Sequence, residues 1–347
     1  MITINTSIST SAGGIEALIR SFHEIFNEKA TEYYFTSNSK EIFERVDGVL
    51  YSQVGEINSG KFAKVVSKIR LYITLLFGFS FNQKIFIFHP TDLLYIPLPT
   101  ILLNKIILVQ TNRLDVTFTR LGRLGMFLKG RFVYKYTVYT DLDRTDYIKA
   151  FPGLKKEKIN VIPRGCRIPT ATTPLNISRK LVTIARINED QKRFEQMIKV
   201  MEHLPNDYSL TIYGEGTADE VTRLKEKIAS SQANITYAGG VSDVTQVLRL
   251  HSIFIMTSAY EGFGQTLIEA RSQGLPIVVY DTFTAVNWVV KNGKTGFIHE
   301  FGDYQSMCSS IVTLATDEKL YNEMSSSSLK LAVETDNSVV KELWRNI

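Results

Sequence analysis

Short runs of β-branched and aromatic residues recur along the chain, each followed by a segment long enough to be a helix. In the first half the runs are ITINTSI (residues 2 to 8), YYFTS, GVLYSQV, KIFIFHP, KIILVQT, YTVYT and INVIP. In the second half they are KLVTIARI, YSLTIYG, NITYAGG, IFIMTS and PIVVYD, with GFI near residue 297. Strands of about five to seven residues alternating with helices of about ten to twenty predict parallel sheets built from βαβ units. The alternation breaks once. Residues 164 to 176, RGCRIPTATTPLN, show no period and little apolar content and carry two prolines, with Pro163 a third just ahead, so they predict a linker. Two α/β domains follow, 1–168 and 169–330, with a last helix in 331–347 expected to return toward the first domain.

Length agrees with that division, since 347 residues are too many for one ordinary hydrophobic core. With 44% hydrophobic and 22% charged residues the chain has an ordinary globular composition. Its two cysteines, Cys166 and Cys308, are far apart and form no framework, which fits a reducing compartment. The first residues have no basic stretch followed by a long apolar one, so no signal peptide is expected. The most apolar segment, LYITLLFGFSF at 71 to 81, is far shorter than the roughly 20 residues that span a bilayer. A soluble or peripheral protein of the cytoplasm is expected.

The net charge of +5 is unevenly distributed. Between Lys61 and Tyr136 there are twelve Lys and Arg residues against only Asp92 and Asp115, in a region rich in Phe, Leu and Tyr. That mixture points to an anionic membrane surface or a polyanionic partner, or to a solvated face whose Lys and Arg stems cover apolar surface. No nucleic-acid recognition motif accompanies it.

Ligands of doubly wound sheets bind beyond the carboxyl ends of the strands, so the residues that follow each strand are the candidates for chemistry. After the first strand come Gly13 and Gly14, which let backbone approach a ligand at a helix start or simply make a tight turn. The Gly-x-Gly-x-x-Gly fingerprint and the Gly-x-x-x-x-Gly-Lys-Ser/Thr phosphate loop are both missing, which removes the main support for dehydrogenase and P-loop readings. After the first strand of the second domain come Arg186 and, at the expected start of an amphipathic helix, Lys192. A cation is unfavourable at a helix start unless an anion lies beside it. Gly214 opens another glycine turn. Asp141 and Asp143 could form an Asp-x-Asp metal pair, but Thr140 with Asp143 reads better as a helix cap. The five histidines are scattered and no metal site is expected.

Residues 258 to 279, SAYEGFGQTLIEARSQGLPIVV, place Glu261 in a turn and Glu269 one helical turn inside the next helix, about 6 to 8 Å along the axis. Gly264 exposes that helix start, and the amides of Gln265, Thr266 and Leu267 are expected to face an anion. A nucleotide sugar fits the spacing, with diphosphate on the amides, sugar hydroxyls on Glu261 and ribose hydroxyls on Glu269. Acidic residues that merely complement the helix dipole would read the same way.

EGFGQTLIEARSQGLPIVVYD, taken with SAGGIEALI, INVIPRG, ARI followed by Lys192, IYGEG and VKNGKTGFI, resembles the retaining glycosyltransferases of family 4 in order and spacing. The resemblance implies a GT-B fold, two Rossmann-like doubly wound domains facing a central cleft. It also implies transfer of a sugar from a nucleotide diphosphate sugar, UDP being the commoner nucleotide, to a glycan or lipid-linked glycan hydroxyl. No cofactor or metal is implied. By the same resemblance Arg186 and Lys192 grip the diphosphate, Glu261 positions the sugar, and Gly13, Gly14, Gly214, Gly264, Gln265, Thr266, Leu267 and Glu269 bind the donor. The family commonly has a His after the strand that here reads IILVQTN, whereas this chain has Gln110. That leaves His89 as the histidine at a first-domain strand end and a candidate acceptor-site residue, and it keeps a non-catalytic donor-binding paralogue open. The basic region 61 to 136 lies in the domain where the family holds its acceptor, so attachment to the inner face of the cell membrane is expected.

Overall fold

In the computed structural model, which describes residues 1–11, 13–26, 30–36, 45–46, 48–54, 61–77 and 81–347, the described strands form two sheets. The first contains β1 (Ile2–Ser7), β2 (Ala30–Thr36), β3 (Arg45–Val46), β4 (Val49–Gln53), β5 (Lys84–Ile87), β6 (Lys105–Val109), β7 (Lys135–Val138) and β8 (Ile159–Val161), in the order β3-β4-β2-β1-β5-β6-β7-β8. The second contains β9 (Lys180–Ile184), β10 (Ser209–Tyr213), β11 (Ile235–Gly239), β12 (Ile253–Met256), β13 (Ile277–Tyr280) and β14 (Gly296–His299), in the order β11-β10-β9-β12-β13-β14. Every pairing is parallel except that of β3 with β4. The two-residue β3 is too short to show a period, and the hydrophobic pattern did not disclose it. The other strands coincide with the apolar runs.

In each sheet the first strand of the chain segment is central, and the order reverses beside it. Crossovers therefore leave in opposite directions from β1 and β5, and again from β9 and β12, which opens a crevice at their carboxyl ends. Strands covered on both faces read as continuous apolar runs, and β12 and β13 are buried at every position. Around the second sheet the helix Phe194–Glu202 directs Met197, Ile198 and Met201 inward, as its three- and four-residue spacing requires.

The chain divides into two compact units, residues 1–163 with 341–347, and residues 164–340. Residues 164 to 171 lie on the second unit: Cys166 N–H donates to the Thr335 carbonyl (2.7 Å), and Ala171 N–H to that of Ser272 (2.9 Å). The last residues belong to the first unit, where the Trp344 ring meets Phe22 at 4.6 Å between centroids and Lys341 pairs with Glu24 at 2.7 Å.

The helix Ala218–Ser230 starts with a capping box, in which Thr217 Oγ1 accepts from Glu220 N–H and the Glu220 carboxylate accepts from Thr217 N–H. Thr217→Ala removes one half of that exchange. It is expected to lower stability by about 1 kcal/mol, read as a lower urea midpoint with an unchanged slope.

Candidate functional site at the switch point of the second sheet

Beyond β9 the chain turns through Arg186 into the four-residue helix Glu189–Lys192, whose start is capped by Asn188 Oδ1 accepting from Gln191 N–H at 3.0 Å. Arg193 then takes a left-handed conformation (φ 53°, ψ 51°) and redirects the chain into the helix Phe194–Glu202. Lys192 thus ends one helix and does not open the next, so the dipole cost expected for it does not apply. Arg186 is exposed and donates no hydrogen bond to a described residue.

The loop beyond β12 is fastened to this turn. Thr257 Oγ1 lies 3.0 Å from the Lys192 carbonyl and 3.1 Å from that of Arg193. Ala259 N–H donates to Gln191 O at 2.8 Å, and Gln191 Nε2 to Tyr260 O at 3.2 Å. These bonds bring Lys192 Nζ into a direct ion pair with Glu261, with both side chains largely buried.

Gly264 has φ +85°, and a Cβ there would stand 2.9 Å from Leu267 Cδ1, so glycine is required at this helix start. The helix Gln265–Ser272 follows. Leu267 N–H is already bonded to Gly264 O at 3.0 Å, which corrects the expectation of three free amides. Those of Gln265 and Thr266 donate to no described residue. Glu269 is only 1% exposed. Its Oε1 accepts from Arg167 Nε at 2.5 Å and from Gln265 Nε2 at 3.4 Å, while its Oε2 is buried without a partner. Gly214 serves packing first: its φ is +150°, and a Cβ would lie 1.7 Å from the Ala185 carbonyl oxygen. The turn after β10 can close on the end of β9 only without a side chain.

In the first unit, Gly13 and Gly14 follow β1, with Gly14 the first residue of the helix Gly14–Phe26. A Cβ on Gly13 would meet only the mobile end of Glu16. His89, beyond β5, is 3.2 Å from Thr6 Oγ1 at the end of β1, and burial keeps its pKa below the usual imidazole value. Gln110 is buried. Its Nε2 donates to Asp143 Oδ1 (3.3 Å) and Asn112 O (3.1 Å), leaving Oε1 buried and unpartnered. Asp143 is a cap, as its spacing from Thr140 predicts: Thr140 Oγ1 accepts from Asp143 N–H and donates to its Oδ2. Asp141 instead pairs with Arg144 at the surface.

Two polar groups escaped the pattern. Arg167, the partner of Glu269, lies in the stretch read as a linker, where nothing periodic marks it. Glu32 is fully buried on β2 and accepts from Ser9 N–H at 2.6 Å, and Arg20 donates to the Ser9 and Ser11 carbonyls, so these side chains hold the loop before Gly13. A lone carboxylate inside an aromatic strand run was its only signal.

Residues 174–330, which hold Arg186, Lys192, Glu261 and Glu269, match the family model for glycosyl transferases group 1. The matched segment is the second unit almost entire. A protein of Haemophilus influenzae described as a glycosyltransferase is 26% identical over 251 residues, 70% of this chain and 69% of that one. The poly(glycerol-phosphate) alpha-glucosyltransferase of Bacillus subtilis is 25% identical over 234 residues, 62% of this chain. The match spans only 34% of that relative's length. Among solved structures, Anabaena Alr3699/HepE in complex with UDP and glucose aligns with a TM-score of 0.79 at 16% identity, covering 98% of this chain and 96% of that one. The chain therefore has the fold of GT-B glycosyltransferases, two Rossmann-like parallel-sheet units.

Proposed function

We propose that the protein transfers a sugar from a nucleotide diphosphate sugar, with UDP as the nucleotide, to a hydroxyl of a glycan or lipid-linked glycan. Anomeric configuration is retained and an α-glycosidic bond is formed in a cell-surface polysaccharide or glycoconjugate. The observation that carries this reading is the Lys192–Glu261 pair at the switch point of the second sheet, beside a helix start with two uncommitted amides. Support for UDP comes from the Anabaena structure, which contains it.

The residues account for the chemistry. Breaking the bond from the anomeric carbon to phosphate leaves negative charge on the diphosphate, and Arg186, Lys192 and the Gln265 and Thr266 amides are the donors available to it. Lys192 passes from Glu261 to phosphate as the donor enters, which frees Glu261 for the sugar hydroxyls. The unpartnered Oε2 of Glu269 is an acceptor for the ribose hydroxyls. The acceptor hydroxyl attacks on the face the phosphate leaves, and its proton goes to the leaving phosphate oxygen. These cations and amides take the place a metal would fill, so turnover is expected to withstand EDTA. The acceptor is placed at the inner face of the cell membrane.

A panel of nucleotide sugars, screened by thermal stabilisation and then by donor hydrolysis, tests the assignment. One UDP-sugar should raise Tm and be hydrolysed slowly. Binding without turnover toward any acceptor would instead make this a non-catalytic donor-binding paralogue, a reading that the replacement of a family histidine by Gln110 keeps in view.

A further inference from the structure

The helix Arg120–Lys129, which joins β6 to β7, is built the wrong way round for a helix with nothing on its outer face. Its inward positions are Gly122, Gly125 and Met126. A Cβ on Gly125 would stand 3.0 Å from the Pro90 carbonyl oxygen and 3.2 Å from Leu93 Cβ, and one on Gly122 would stand 3.2 Å from Pro90 Cβ. The helix therefore lies almost backbone-to-backbone on the segment 90 to 96, where Lys129 Nζ also donates to the carbonyls of Leu94 (3.0 Å) and Ile96 (2.6 Å). Close approach through glycine leaves the bulky apolar side chains on the other side. Leu121, Leu124, Phe127 and Leu128 are 54%, 45%, 84% and 50% exposed. Interleaved with them are the exposed Arg120 and Arg123, with Arg131 just beyond, and the helix contains no carboxylate.

We infer that this helix is the element by which the protein docks on an anionic lipid bilayer, with Phe127 and its leucine neighbours entering the headgroup boundary and the arginines meeting lipid phosphates. Aromatic and leucine side chains flanked by arginine, with no acidic residue among them, match an interfacial helix in both polarity and charge. A second copy of the same face would set arginine against arginine, whereas anionic headgroups neutralise all three. Of the rest of the basic region 61 to 136, the Lys61 and Lys64 side chains lie outside the described residues, and Lys68 is already paired with Asp92 at 2.5 Å. The inference rests on the proposed membrane-bound acceptor for its purpose, but its test needs no sugar transfer.

Co-sedimentation with vesicles of phosphatidylcholine, alone or with about a third phosphatidylglycerol, decides it. Wild type should pellet with the anionic vesicles and be released by roughly 0.5 M salt. The double variant Leu124→Ser, Phe127→Ser should bind at least about tenfold more weakly, and Arg123→Glu should lose the preference for anionic lipid. Because these side chains touch little of the protein, Tm and donor hydrolysis in solution should stay at wild-type values. Undiminished vesicle binding by the double variant overturns the inference, as does a wild-type dimer that the same variant dissociates, which would assign the face to a second copy. Vesicle binding that follows the expected pattern in a protein that hydrolyses no donor sustains the docking surface and refutes only the transferase reading.

Discussion

Glu261→Ala is expected to lower turnover at saturating donor by about 10²- to 10³-fold, the range seen when a preorganised polar group facing developing charge is removed. The ion pair sharpens this expectation. Loss of the carboxylate deprives the donor sugar of its acceptor and also leaves Lys192 without the partner that holds it in the ligand-free protein. Lys192→Ala should cost a comparable factor by removing a cation from the leaving diphosphate. Since the two side chains are in direct contact, the double variant should be little worse than either single one, as for groups that act as a unit. The measurement is the single-turnover rate constant at saturating donor for both single variants and the double. Losses that multiply would mean that Lys192 and Glu261 act independently and that the exchange from carboxylate to phosphate is wrong. Lys192 ends its short helix and Glu261 lies in the loop that Thr257 and Gln191 fasten to it. Because both side chains are largely buried, each single variant leaves an unpaired charge and should also lower Tm, so rates are compared well below the Tm of each variant.

How much of this was legible in the sequence depends on how local each cause is. Parallel strands buried on both faces print themselves as apolar runs, so β12 and β13 could be seen in IFIMTS and PIVVY, and the need for two α/β units followed. The Thr140–Asp143 cap was legible for the same reason, because donor and acceptor lie within one helical turn. Pairings across the chain were not. Arg167 reaches Glu269 across about a hundred residues of sequence, from a stretch whose prolines and polar residues mark only an absence of regular structure. Lys192 looked like a cation at a helix start, because no periodicity reports that Arg193 breaks the helix with a left-handed residue. Gly214 is a contrary case: its position at a strand end is visible, but what demands it is the Ala185 carbonyl just beyond the neighbouring strand β9. The sequence places Leu267 in the first turn and so predicts a free amide, whereas tightening of that turn gives its N–H to the Gly264 carbonyl.

Glu269→Ala should weaken donor binding while leaving chemistry nearly intact, and its stability cost should be smaller than that of removing its partner. The carboxylate is 1% exposed with one oxygen unpartnered, so a ribose hydroxyl reaching Oε2 would make a hydrogen bond to a charged group worth about 1.5–3 kcal/mol. Its loss corresponds to roughly ten- to a hundredfold in donor Kd. Because ribose is remote from the breaking bond, the loss should appear in KM, with kcat at saturating donor close to wild type. Equal losses in kcat would place Glu269 in the chemical step. The two halves of the ion pair are unequal in what they leave behind. Glu269→Ala leaves a guanidinium whose side chain is 48% exposed and remains hydrated, whereas Arg167→Ala leaves a buried carboxylate with only Gln265 as donor. An uncompensated buried charge costs about 3 kcal/mol or more, so Arg167→Ala should be the more destabilising of the two by urea denaturation. Glu269→Gln keeps the shape and an oxygen for the ribose but weakens the hold on Arg167, and it should fall between wild type and Glu269→Ala in donor affinity. A Glu269→Gln protein with wild-type affinity would show that the charge of Glu269 serves Arg167 alone.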